Sequence, residues 1–211
     1  MKVKICGNQA AEHVRGALAA DALGFVVASP RSQRNLLLAQ AAALVRSVPP
    51  FVETVAVTAA QTEPEVWRIA REINPSAIQL QGWTDVAALR RLRGAIGQRL
   101  IVGVAVTGDD AVERARALAP HCDAILLDSA KEGRIGGTGT THDWSLSRRI
   151  RDALHPFPVV LAGGLSPDNV GDAIAAVEPW AVDVASGVEA GGKRSDALVA
   201  RFLEEARRAA R

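Results

Sequence analysis

Short runs of consecutive apolar residues alternate along this chain with longer stretches in which apolar positions recur every three or four residues. The runs are VKIC at 3–6, LGFVVA at 23–28, ETVAVT at 53–58, AIQL at 77–80, LIVGVAV at 100–106, DAILLD at 123–128, PVVLAG at 158–163 and AVDVAS at 181–186. Their unbroken Val, Ile and Leu content predicts strands covered on both faces. Between them, AAEHVRGALAADA, EPEVWRIAREI, DDAVERARALA, SPDNVGDAIAAV and SDALVARFLEEARRAA carry the period of amphipathic helices. Ser166-Pro167-Asp168 and Thr62-Glu63-Pro64 read as helix starts, each a polar residue ahead of a proline in the first turn. Strand and helix in strict alternation imply a parallel sheet, and at roughly 26 residues per unit the chain sits near the lower limit of a (β/α)8 TIM barrel. An open doubly wound sheet would show fewer strands and a topological switch point. No linker interrupts the rhythm, so residues 1–211 read as one barrel domain.

Composition narrows the picture little. Of 211 residues, 48% are apolar and 23% charged, and the net charge of +2 gives no reason to expect nucleic acid. Two cysteines build no disulfide framework. The first apolar run is too short for a secretion signal, and no run reaches the roughly 18 residues of a membrane span. A soluble cytoplasmic protein is expected, without membrane or nucleic-acid partners.

In such a barrel the site is assembled from the C-terminal ends of the strands. Glycines follow the last two: Gly163-Gly164 lead toward a helix, and Ser186-Gly187 follow the eighth run. Backbone amides at helix N-termini attract anions, and glycine admits a close approach, so these four residues predict a phosphate cradle. GRIGGTGTT at 133–141, with Gly137 and Gly139, is placed to close over the same ligand. Cys6 and Asp128 end the first and sixth runs, where a thiol and a carboxylic acid could move protons on one substrate. Each also has a plainer reading, the thiol as a small core residue and the carboxylate as a cap or ion-pair partner. Cys122 reads as core, and the four histidines show no ligand spacing. No metal site and no cofactor are implied.

Taken together, VKICG at 3–7, GFV at 24–26, IQLQG at 78–82, LLDS at 126–129, GGTGTTHDW at 136–144, LAGGLSPDNV at 161–170 and VDVASGVE at 182–189 resemble the phosphoribosylanthranilate isomerase family of tryptophan biosynthesis. The likeness runs nearly the whole chain. It implies a cofactor-free Amadori rearrangement of N-(5-phosphoribosyl)anthranilate, a small phosphorylated sugar, by a monomer or homodimer. By that likeness Asp128 is the general acid and Cys6 the general base, with Gly7 letting substrate and backbone approach. An arginine after the second strand would meet the anthranilate carboxylate, Arg34 as first choice and Arg31 as second, because a planar guanidinium matches a carboxylate. Asp183 matches a pocket-lining aspartate, and Gln81 stands at the pocket rim where the family has histidine.

The chain departs from the family at Asn8-Gln9-Ala10, where a small residue and Thr-Arg are usual, at Gln81, and at His142 in place of phenylalanine. These changes gather at the aromatic-acid end. Two other readings keep the same residues: a related isomerase or lyase on another phosphorylated sugar adduct, and a non-catalytic barrel that binds a phosphate ligand.

Overall fold

The computed structural model describes residues 1–131, 134–135 and 143–210. Eight parallel strands close into a barrel: β1 (Lys2–Ile5), β2 (Ala22–Val27), β3 (Glu53–Thr58), β4 (Ala77–Gln81), β5 (Arg99–Ala105), β6 (Ala124–Asp128), β7 (Val159–Leu161) and β8 (Ala181–Val184). Strand β1 pairs with both β2 and β8, so no edge is left open. The helices are α1 (Ala11–Gly16), α2 (Leu38–Arg46), α3 (Glu63–Ile73), α4 (Val86–Ala95), α5 (Asp110–Leu118), α6 (Trp144–Leu154), α7 (Val170–Val177) and α8 (Asp196–Arg208). This is the (β/α)8 barrel expected from the apolar runs. Among the described residues, no helix is long and apolar enough to cross a membrane.

Several extents differ from expectation. The segment 10–22 is helical only to Gly16, because the chain must rejoin the sheet: the Asp21 carboxylate accepts the Val3 amide at 2.9 Å and pairs with Lys2 at 2.7 Å. The run 158–163 gives a strand that stops at Leu161, since Gly163 and Gly164 take φ of +82° and +66°. Helix α7 begins at Val170 rather than at Ser166. There the Asn169 side chain accepts the Ser166 amide at 2.8 Å and donates to the Gly164 carbonyl at 2.9 Å, which turns residues 166–169 into a brace for the glycine loop. Thr62 does cap α3, in a reciprocal arrangement with Glu65.

Strand alternation sorts the core into two layers. Val3, Ile5, Leu23, Phe25, Ile78, Leu80, Ile125, Leu127, Val182 and Val184 join the helices in the main cluster. Two smaller clusters fill the barrel, one with Cys6, Val26, Val55, Val57 and Ala77, the other with Ala124, Leu126, Val160, Ala162 and Ala181. The inward positions are small as well as apolar. That leaves volume inside for Lys4, Gln79, Asp128 and Asp183, all buried.

Candidate active site

Alternation along β1 puts Lys4 and Cys6 on the same inward face, and β1–β8 register places Lys4 directly opposite Asp183. The Lys4 ammonium donates to Asp183 Oδ2 at 2.9 Å, with both side chains less than a tenth exposed. A lysine is rarely this buried without a counter-charge, and Asp183 supplies it. Cys6 is buried above the pair, its amide bonded to the Val184 carbonyl at 2.8 Å. Gly24 of β2 makes room: a Cβ there would fall 2.8 Å from Cys6 Sγ and 3.1 Å from Lys4 Cε. Asp128, at the end of β6, is equally buried.

Burial drives the electrostatics. It pushes the Asp128 carboxyl up to about 7, helped by the charge of Asp183 and opposed by Ser129 hydrogen bonds and by Lys4. Burial also raises the Cys6 thiol above its ordinary 9.0; Lys4 opposes this most strongly, then Asp183 reinforces it, and Arg194 adds a weaker lowering. Neighbouring cations therefore restrain the rise without reversing it. Cys122 is a core residue, pushed up to about 12 by burial.

The glycine loops meet at the same mouth. Gly163 lies against Asp128 and Ser129; a Cβ on it would sit 2.9 Å from Asp128 Oδ1 and 2.4 Å from the Ser129 amide. Ser186 and Gly187 form a short 3-10 turn (Ser186–Val188), and a Cβ on Gly187 would lie 1.8 Å from the Leu165 carbonyl. The loops after β7 and β8 thus touch backbone to backbone. Gly187→Ala should cost at least about 2 kcal/mol by forcing them apart. Urea unfolding checks this, and an unchanged midpoint would mean that the loops separate freely.

Arg34 reaches back from the loop after β2. Its Nε and Nη2 each donate to Glu189 at 2.8 Å, a two-pronged pair. Its stem crosses Gly7, whose φ is +81° and where a Cβ would fall 2.3 Å from Arg34 Cδ. Arg31 is exposed. Of the two arginines, the fold therefore brings Arg34 to the cysteine. Sequence reading had not singled out Glu189 or Arg194. The Arg194 guanidinium donates to the Cys6 carbonyl at 2.6 Å, while its Nε and Nη1 are buried without partners among the described residues.

Gln81 ends β4 and lies over Gly103 of β5, where a Cβ would meet its Oε1 at 2.1 Å. Asn8 is fully buried, its amide donating to the carbonyls of Ile5 at 2.9 Å and Gly24 at 3.1 Å. Gln9 ties the first loop to the Gln33 carbonyl at 3.0 Å. The unusual first loop is thus held by side-chain amides. Gly137, Gly139 and His142 lie outside the described residues. A surface groove lined by Val45, Pro50, Arg71 and Asn74 opens at the opposite end of the barrel, away from all these groups.

Fold and site together define a (β/α)8-barrel enzyme with a thiol and a carboxylic acid at one mouth. The family model for N-(5'phosphoribosyl)anthranilate (PRA) isomerase matches residues 3–205. The chain belongs to that family. It is 41% identical over 208 residues to the N-(5'-phosphoribosyl)anthranilate isomerase of Methanothrix thermoacetophila, covering 98% of each chain. The crystal structure of phosphoribosyl anthranilate isomerase from Thermotoga maritima superposes with a TM-score of 0.87 at 35% identity, covering 98% of both chains. A structure of such an enzyme in complex with reduced 1-(o-carboxyphenylamino)-1-deoxyribulose 5-phosphate gives a TM-score of 0.84 at 33% identity, again over 98% of both.

Proposed function

We propose that the chain isomerises N-(5'-phosphoribosyl)anthranilate to 1-(o-carboxyphenylamino)-1-deoxyribulose 5-phosphate, with Asp128 as general acid and Cys6 as general base. The observation that carries this reading is the state of Asp128: a carboxyl raised to about 7 in a buried mouth still holds a proton to give near neutrality. Asp128 protonates the ribose ring oxygen as the C1'–O bond breaks, leaving a Schiff base between C1' and the anthranilate nitrogen. The Cys6 thiolate removes the C2' proton to give an enolamine. A proton added at C1' and the O2' proton lost yield the ketone. Carbon 2' is oxidised and carbon 1' reduced, so the rearrangement balances with no external redox partner.

The substrate's two anions fit the two ends of the mouth. Phosphate is assigned to Gly163, Gly164, Ser186 and Gly187, where backbone can approach closely. The anthranilate carboxylate is assigned to Arg34, whose Nη1 remains free of the Glu189 pair. Gly7, Gln81 and Asp183 line the pocket in this reading. The substrate is a small water-soluble phosphate ester, which fits a cytoplasmic enzyme.

The test is direct. Phosphoribosylanthranilate is generated in situ and its conversion followed by loss of anthranilate-type fluorescence. Enzyme-dependent conversion is expected. A flat trace from folded protein would remove anthranilate as the substrate and leave the departures at Gln9 and Gln81 as the place to look.

A further inference from the structure

Base and acid need opposite things from one environment: the base must be found without its proton and the acid with it. Cys6 and Asp128 share a low-dielectric interior in which burial alone favours the protonated form of both. A neighbour must distinguish them. Lys4 and Asp183 are placed to do so.

The pair has a fixed direction. Register sets Lys4 opposite Asp183, and the ammonium donates to Oδ2 at 2.9 Å. The Lys4 stem and the Cys6 sulfur lean together over Gly24, where a Cβ would lie 3.1 Å from Lys4 Cε and 2.8 Å from Cys6 Sγ. Asp183 Oδ1 is buried with no hydrogen-bond partner among the described residues, and Asp183 is the neighbouring charge that acts most strongly on Asp128. The cation is thus the member of the pair beside the thiol, and the anion is the charge felt most at the acid. Lys4 itself is held above its ordinary 10.5 by these partners, so it is a fixed charge and carries no proton back and forth.

We propose that the buried Lys4–Asp183 ion pair is a positioning device that assigns the two proton-transfer roles, its ammonium end supporting Cys6 as the anion and its carboxylate end keeping Asp128 as the acid. This rests on the roles assigned to Cys6 and Asp128 above. The remaining charges that face the thiol come from outside the barrel. Arg194 touches the Cys6 carbonyl, and Arg34 lies across Gly7 with its charge met by Glu189. Facing Asp128 are Asp183 and Lys4, with hydrogen bonds from Ser129.

The experiment is iodoacetamide alkylation of Cys6 across pH, read on its own peptide by mass spectrometry, in the full-length parent, Lys4→Met and Asp183→Asn. Cys122 is told apart by its peptide. Lys4→Met should move the alkylation midpoint up by on the order of one pH unit. It should also lower kcat at least about tenfold while KM stays within about threefold. Asp183→Asn, which keeps shape and an oxygen for Lys4, should move the midpoint down by a similar amount. Midpoints that stay put, or that move the same way in both variants, would overturn the proposal. If Lys4→Met fails to fold, Asp183→Asn decides alone, because its midpoint must fall. Alkylation needs no substrate, so opposite shifts in a parent that does not turn over phosphoribosylanthranilate would support the charge placement and reject the reaction.

Discussion

Cys6→Ala and Asp128→Asn should each lower kcat/KM for phosphoribosylanthranilate by a factor of about 10² to 10⁴, the span typical of a lost general base or acid. The two failures fall at different steps. Without Asp128 the ring oxygen leaves unprotonated, so the Schiff base does not accumulate. Without Cys6 the ring can still open, but the C2' proton stays in place. Cyanoborohydride trapping separates them: Cys6→Ala should accumulate the ring-opened Schiff base, captured as the secondary amine, and Asp128→Asn should not. Residual activity within about threefold of the parent in either variant would move that role to another residue.

The same groups explain why the parent should be sensitive to anything that disturbs its charges. Burial pushes the Asp128 carboxyl up to about 7 and raises the Cys6 thiol as well, so the productive combination of thiolate and carboxylic acid is the minor one. Substrate binding and the Lys4–Asp183 pair act on that small fraction, so modest electrostatic changes should appear directly in kcat.

Much of this arrangement was legible before the fold was known. Continuous apolar runs separated by amphipathic helices specify a closed parallel barrel, and the barrel in turn sends Cys6 and Asp128 to one mouth. Lys4 is legible too. A lysine between Val3 and Ile5 in a buried strand, and an aspartate between Val182 and Val184 in the strand that must close against it, are an ion pair once strand order is granted. Alternation alone puts Lys4 on the face of Cys6. What the pattern could not carry was the loop chemistry. Glu189 meets Arg34 over the end of β1 because of the path taken after β8, and no periodicity encodes that path. The start of α7 was misread for a similar reason: Ser166 and Pro167 look like a cap, but the Asn169 side chain spends both its groups bracing the glycine loop. The raised thiol was likewise unreadable, since it reflects how completely the barrel closes over Cys6.

Asp128→Asn should also change stability, and in a direction opposite to its effect on activity. The Asp128 carboxyl binds its proton more tightly in the folded chain, at about 7, than at its ordinary 3.8. The folded state is therefore favoured while the group is protonated in both states, below the ordinary value. That advantage is lost as pH rises toward the folded value, after which the chain carries a buried carboxylate at full cost. At about 1.36 kcal/mol per pH unit the cost is on the order of 4 kcal/mol above neutrality, set chiefly by burial and next by Asp183. Asparagine is neutral throughout. Urea midpoints should then show the variant gaining on the parent by several kcal/mol between about pH 4 and pH 8, and little difference at the acid end. An equal difference at both pH values would mean that Asp128 titrates as an ordinary carboxylate, and an acid of that kind would hold no proton to donate at neutral pH. The substitution that should abolish proton donation is thus the one that should relieve the fold, and the two measurements test one carboxyl from opposite sides.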